Sequence, residues 1–298
     1  MKNVMRVSIV LFLVFLIACQ AENQESNEQE EPVEEAADTS NSTEATETNE
    51  EAVEETSETE EPAENQDQTD DVEVTQPVSE PLYKVSENWS LVPLEEGTNE
   101  NVVLLTIDDA PEQYTLEMAK TLKELEAPAI FFVNGHFLET EEQKDILRQI
   151  HEMGFAIGNH TYNHQRLTEA DEATQEEEIR SLSVLIEEII GEKPEFFRAP
   201  NGANTDFATS LVEQEGMLLM NWTYGYDYFE PYMDADKLKT AMITGEGPEV
   251  DVPYSLLKPG AILLMHDREW TSAALADIVK GLREKGYEFA DPSAIKLP

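Results

Sequence analysis

The folded part of this 298-residue chain, residues 82–298, is predicted to be an α/β domain: a deformed (β/α) barrel of about seven strands. Two observations predict it. From Val102 onward, short apolar runs alternate with longer amphipathic stretches, the pattern of parallel strands joined by right-handed helical crossovers. Polar residues cluster where the apolar runs end: Asp108, Asp109, His160, Arg198, His266 and Asp267. In a parallel barrel the C-terminal strand ends form one rim, so these scattered residues converge there. A doubly wound open sheet uses the same units and is the alternative. The chain carries no internal repeat.

Each element has its own signal. "NVVLLTI" (101–107) reads as a buried strand, and "PEQYTLEMAKTLKELEA" (111–127) as a helix with Leu116, Ala119, Leu122 and Leu125 on one face. Residues 128–133 and 154–159 are strands, with a helix over 141–153 between them. Ile179, Leu182, Leu185, Ile186 and Ile189 recur at helical spacing before Gly191, which closes that helix. Further strands are expected near 195–199, 217–222, 260–266 and 287–290, with helices near 206–215, 234–243 and 271–285.

Ahead of the barrel, residues 1–18 read as a signal peptide: Lys2 and Arg6 precede an apolar run too short to span a bilayer unaided. The run ends in "LIAC", which resembles a bacterial lipobox and implies lipidation at Cys19, the only cysteine. An ordinary signal peptide with an incidental Cys19 is the plainer reading. The mature domain then has neither a disulfide nor a thiol nucleophile, in keeping with export. Residues 19–81 are rich in Glu, Thr, Asn and Pro, with no aromatic and no Lys or Arg, and are expected to be a disordered acidic tether. Such a coil spans roughly 45 Å, and more when its like charges repel. The formal charge of the whole chain is -45, and that tract carries only about half of it. A domain this acidic is not a nucleic-acid binder, nor does it adhere to an anionic bilayer.

The five histidines include two four residues apart in "HTYNH" (160–164), a spacing that puts both on one face of a helical turn. In isolation that pentapeptide is more often a solvated turn, and Asp109 before "AP" more often a helix cap. Together, one carboxylate and two histidines make a three-ligand set with an open position for water. The neighbouring carboxylate then serves as a base, and the late His266 as the acid that protonates a leaving group. These are the parts for hydrolysing an amide or ester without a covalent intermediate. His136 and His151 fit no such role and read as a loop residue and an exposed helix position. The aromatics of 222–232 and Trp270 suit sugar stacking and structural packing equally.

"TIDDAP" (106–111), "HTYNH", "RAPNG" (198–202), "WTYGYDY" (222–228) and "LMH" (264–266) stand in the order of the motifs of the polysaccharide deacetylase, or NodB-homology, family, carbohydrate esterase family four. The chain resembles that family over about residues 100 to 290. The resemblance implies Asp108 as base; Asp109, His160 and His164 as ligands of a divalent ion, Zn²⁺ first, with Co²⁺, Ni²⁺ or Mn²⁺ as alternatives. It implies that Arg198 orients Asp108, and that Asp227 supports the acid His266. It puts Leu264 and Tyr228 at an acetyl-methyl pocket, the backbone N–H of Asn201 toward the oxyanion, and Trp222 at the substrate. Four departures stand out. Ala110 replaces a Gly, which strains the loop if that position needs φ > 0. Ile107 replaces a Phe, Asn201 replaces an aromatic, and Asp227-Tyr228 stands for Asp-Trp with a one-residue difference in spacing.

The expected function is removal of N-acetyl groups from a cell-envelope glycan, first of all N-acetylglucosamine of peptidoglycan, by a lipid-anchored enzyme facing the cell wall. Rival readings are a non-catalytic wall-binding or wall-stabilising lipoprotein of the same fold, and an esterase on O-acetylated glycan such as xylan. A transporter's solute-binding lipoprotein predicts two lobes and leaves the ordered motifs unexplained. The expected partners are the glycan and, through Cys19, the membrane; a monomer is expected.

Overall fold

The computed structural model describes residues 80–298. The expected signal peptide, the expected lipidation site at Cys19 and nearly all of the expected tether lie outside the described residues. Among the described residues no helix is long and apolar enough to cross a membrane.

A short antiparallel hairpin, β1 (Tyr83–Val85) and β2 (Leu91–Pro93), leads into the barrel. The parallel strands are β3 (Val102–Ala110), β4 (Ala129–Val133), β5 (Ala156–Asn159), β6 (Phe196–Phe197), β7 (Leu218–Leu219), β8 (Ala261–His266) and β9 (Glu288–Phe289). Their order is β7-β6-β5-β4-β3-β8, with β9 also paired to the start of β3. The strands curl because their two outer ends nearly meet. Beyond β7, Tyr224 bridges to Leu263 of β8, and the N–H of Thr223 donates to the Ile262 carbonyl at 2.8 Å. Gly225 permits this approach, since a Cβ there would stand 2.5 Å from the Leu264 carbonyl oxygen. This closure shortens the strand expected over 217–222: β7 keeps two residues, and the chain then crosses to β8.

Six helices pack outside: α1 (Thr115–Glu124), α2 (Glu141–Glu152), α3 (Glu172–Ile190), α4 (Asp206–Gln214), α5 (Ala235–Thr244) and α6 (Glu269–Glu284). Their ends carry local signals. Thr140 and Gln143 form a capping box on α2, Asp171 caps α3, and Gly191 ends α3 at φ 80°. Helix α1 starts four residues later than expected, because residues 111–114 form a capping loop. Its own N-cap residue, Tyr114, makes no side-chain cap. The Asp267 carboxylate, arriving from β8, accepts instead from the N–H groups of Glu112 (2.9 Å), Tyr114 (2.7 Å) and Thr115 (2.9 Å). Asp109 is therefore not the cap of α1.

The strand period of two sorts the core into layers. Val103, Leu105 and Ile107 of β3, with Leu263 and Met265 of β8, join Met118, Leu122, Ile278 and Leu282 in the layer under the helices. Leu104 and Ile262 point the other way, into a barrel filling shared with Ile130, Phe132, Phe196 and Met220. Tyr83 and Leu91 of the hairpin and Ile295 of the C-terminal segment complete that filling, which is sealed at the N-terminal end of β3. The inner row of β3 continues to Thr106 and Asp108, and that of β8 to Leu264 and His266. Alternation and register thus carry two chemical side chains to the same end of the barrel.

Candidate active site

Asp108 pairs directly with His266 across β3 and β8. Simple alternation would send Asp108 and Asp109 to opposite faces. Asp109 instead has φ 62°, and the β3–β4 register shifts between Ile107 and Ala110. Both carboxylates consequently face one histidine: His160 Nε2 lies 3.6 Å from Asp108 Oδ2 and 3.9 Å from Asp109 Oδ1. The positive φ falls on Asp109, not on Ala110, which is a buried strand residue. Alanine in place of the family's glycine is accommodated there without left-handed backbone.

The "HTYNH" segment is not a helical turn. It is an irregular loop in which Thr161 (φ 66°) and His164 (φ 55°) are left-handed, and this folding, not helical spacing, sets the two rings with centroids 5.1 Å apart. Long-range bonds hold the loop. Asn134 Nδ2 donates to the carbonyls of His160 (2.6 Å) and Thr161 (3.0 Å), and the Glu178 carboxylate accepts from the N–H and side-chain amide of Asn163, each at 2.7 Å. His160 Nδ1 lies 2.7 Å from the Arg198 carbonyl. A carbonyl only accepts, so Nδ1 carries the proton and Nε2 presents its lone pair to the site. Burial keeps the His160 pKa below the ordinary histidine value, favouring that neutral form. His164 Nε2 lies 3.5 Å from Asp109 Oδ1.

One ligand atom each from Asp109, His160 and His164 lies within 4.8 Å of the others. A carboxylate and two imidazoles, one with its far nitrogen already fixed by a carbonyl, are donors that suit a divalent ion of the zinc class. Burial pushes the Asp109 carboxyl up, but His266, His160, His164 and Arg268 together outweigh it and hold the group below the usual carboxylate range. It is ionised and available.

Arg198, fully buried, bridges Asp108 to the barrel wall. Its Nη1 donates to Asp108 Oδ1 at 2.6 Å and Thr106 Oγ1 at 2.8 Å; Nε and Nη2 reach the carbonyls of Met220 (3.2 Å) and Asn221 (3.0 Å). Phe132 stacks under the guanidinium, 4.3 Å from its carbon to the ring centre. Across the site, His266 Nδ1 meets Asp227 Oδ1 at 2.8 Å, and the His266 N–H donates to Asp227 Oδ2 at 2.6 Å. Thr271 Oγ1 also donates to Oδ2 at 2.8 Å. Burial pushes the His266 pKa down, but Asp227 overrides it, with Asp108 and Asp109 adding to the lift, and it stands at about 9. The imidazole is thus a proton donor whose Nε2 is left for the site.

The proposed substrate residues divide. Tyr228 is 44% exposed and sets its ring edge-on to His266, 5.7 Å between centres, while Leu264 is buried on the inner row of β8. Trp222 is half-buried beside Gly202. Asn201 is exposed, with left-handed backbone at φ 57°. Most of the aromatic run is structural: Tyr224, Tyr226 and Tyr232 are buried, their hydroxyls bonded to Met242, Gly245 and Glu249. Trp270 donates its indole N–H to the Asp227 carbonyl at 2.8 Å and so supports the Asp227–His266 pair. Two residues of the site have no place in the motifs. Asp267 ties the rim loop to α1, and Arg268 Nη2 donates to Asp109 Oδ2 at 2.7 Å. Only their position directly after "LMH" hinted at either.

Fold and site together define a barrel hydrolase in which Asp108 and His266 flank a metal-competent cluster. Residues 95–220 match the family model for polysaccharide deacetylase, which covers Asp108 to Arg198 but stops short of His266. The chain is 32% identical over 200 residues to a peptidoglycan-N-acetylglucosamine deacetylase of Bacillus cereus, covering 65% of this chain and 70% of that protein. It is 26% identical to the peptidoglycan-N-acetylmuramic acid deacetylase PdaA of Bacillus subtilis, covering 65% and 70%. A solved structure of a mutant of BA3943, a family 4 carbohydrate esterase pseudoenzyme with restored enzymatic activity, superposes with a TM-score of 0.56 at 26% identity, over 65% of this chain and 67% of that one. The chain belongs to the polysaccharide deacetylase family.

Proposed function

We propose that this protein is a metal-dependent N-deacetylase of peptidoglycan, acting on N-acetylglucosamine, and that it is held outside the cell by a lipid on Cys19. One observation carries the catalytic reading. Asp108 is excluded from the Asp109–His160–His164 cluster yet fixed against it, with Oδ1 on Arg198 at 2.6 Å and Oδ2 at 3.6 Å from His160. When bound, a divalent ion such as Zn²⁺ supplies a Lewis acid and lowers the pKa of a water molecule.

Asp108 takes the proton of the attacking water as its oxygen bonds to the acetyl carbonyl carbon. Arg198 keeps the carboxylate aimed and charged. The backbone N–H of Asn201 is assigned to the developing oxyanion. His266, protonated and braced by Asp227, gives its proton to the departing nitrogen as the C–N bond breaks. Acetate leaves, and the glycan gains an amino group. Leu264 and Tyr228 are assigned to the acetyl methyl, and Trp222 to the sugar.

The substrate assignment rests on the relatives, both of which act on peptidoglycan by name, and on a leader and tether suited to the envelope. The likeness to a pseudoenzyme keeps a non-catalytic wall-binding role as the rival reading, but this chain retains both the base and the acid. Elemental analysis of purified protein, with acetate-release assays on peptidoglycan, chitin oligomers and acetylated xylan, tests the proposal. One bound divalent ion and acetate from peptidoglycan are expected. Protein that sediments with cell wall yet releases no acetate overturns it, and faster release from xylan transfers it to O-esters.

A further inference from the structure

We infer that Arg268 is a positioning residue for Asp109: it holds one carboxylate oxygen so that only the other is offered to the metal. The inference rests on the metal-site reading above.

The two oxygens of Asp109 stand in different surroundings. Oδ1 faces the histidines, 3.5 Å from His164 Nε2 and 3.9 Å from His160 Nε2. Oδ2 accepts from Arg268 Nη2 at 2.7 Å. A free carboxylate turns about its Cβ–Cγ bond and presents either oxygen, or both at once. Here the guanidinium breaks that equivalence. Arg268 is itself held, since Nη1 donates to Glu112 Oε2 at 2.6 Å and to the Asp267 carbonyl at 2.8 Å. The Asp267 N–H in turn donates to the Asp108 carbonyl at 3.1 Å, and its side chain caps α1. The guanidinium is thus tied into the paired ends of β3 and β8, which bear Asp108 and His266. Its planar fork satisfies two acids in fixed directions, which an ammonium does not.

Removing the outer partner of a metal-ligating group typically costs ten- to a hundredfold in metal affinity. Zn²⁺ alone, titrated into metal-stripped full-length protein in competition with a chromophoric chelator, reads that quantity directly. Arg268→Met is expected to weaken binding by about ten- to a hundredfold, and Arg268→Lys, which keeps a donor, to recover part of the loss. Glu112→Ala, which frees the other arm of the guanidinium but leaves it bonded to the Asp267 carbonyl, is expected to cost less affinity than Arg268→Met. Unchanged or tighter binding by Arg268→Met overturns the inference, tighter binding showing that repulsion between two cations dominates. A loss that lysine does not rescue at all, or an equal loss in Glu112→Ala, also overturns it by assigning the effect to the rim loop. A wild-type protein that binds no Zn²⁺ defeats the metal-site reading instead.

Discussion

Arg198 and Asp108 meet at 2.6 Å with neither group open to solvent. Breaking a buried pair from one side leaves an uncompensated charge, at a cost of about 3–5 kcal/mol. Arg198→Met is therefore expected to lower the Tm by on the order of 10 °C for a domain of this size. Calorimetry checks this, and an unchanged Tm would show that Asp108 is neutralised by some other route.

Asp108→Asn keeps the size of the side chain and removes its basicity. Acetate release should fall by roughly 10²- to 10⁴-fold, the usual range for a positioned base. Metal content should stay at the wild-type level, because Asp108 is not one of the three clustered ligand residues. Retained activity would sink the assignment of the base.

The proposed acid, His266, is to work in its protonated form, and its pKa is raised to about 9. Protonated acid is present below that value and lost as pH rises through it. In Asp227→Asn the carboxylate that favours the imidazolium is gone, so the alkaline limb of the kcat profile should move to lower pH by roughly 1–3 units. A limb that stays in place would assign it to another group.

Stripping the metal with a chelator should abolish acetate release, and Zn²⁺ or Co²⁺ should restore it. Asp109→Ala should remain inactive after the same additions, because it lacks one of three ligands. Full activity of thoroughly stripped protein, confirmed by elemental analysis, would contradict metal dependence.

Much of the barrel was legible because β3 and β8 are continuous apolar runs buried on both faces while the helices bury one periodic face, signals local to each segment. The hairpin of Tyr83–Val85 and Leu91–Pro93 gave no such signal, since strands of three residues show no alternation. Asp108, Asp109, His160, Arg198 and His266 were legible from the ends of apolar runs and from their order. The way they meet was not. Helical spacing was the wrong reason for the closeness of His160 and His164: left-handed backbone at Thr161 and His164, pinned by Asn134 and Glu178, brings them together. Local sequence does not announce bonds between residues so far apart. Arg268 escaped for a related reason, because its partner Asp109 is 159 residues away.

Both ends of the described domain lie together. The Leu82 N–H donates to the Ala294 carbonyl at 2.8 Å, Tyr83 bridges to Ile295, and this seam closes the barrel beside the start of β3. Asp108 lies six residues further along that strand, a rise of about 20 Å. A resin, fluorophore or fused module attached before Glu80 or after Pro298 is therefore fastened at the back of the enzyme. Immobilised at either end of the described domain, the protein keeps its mouth turned toward the solution.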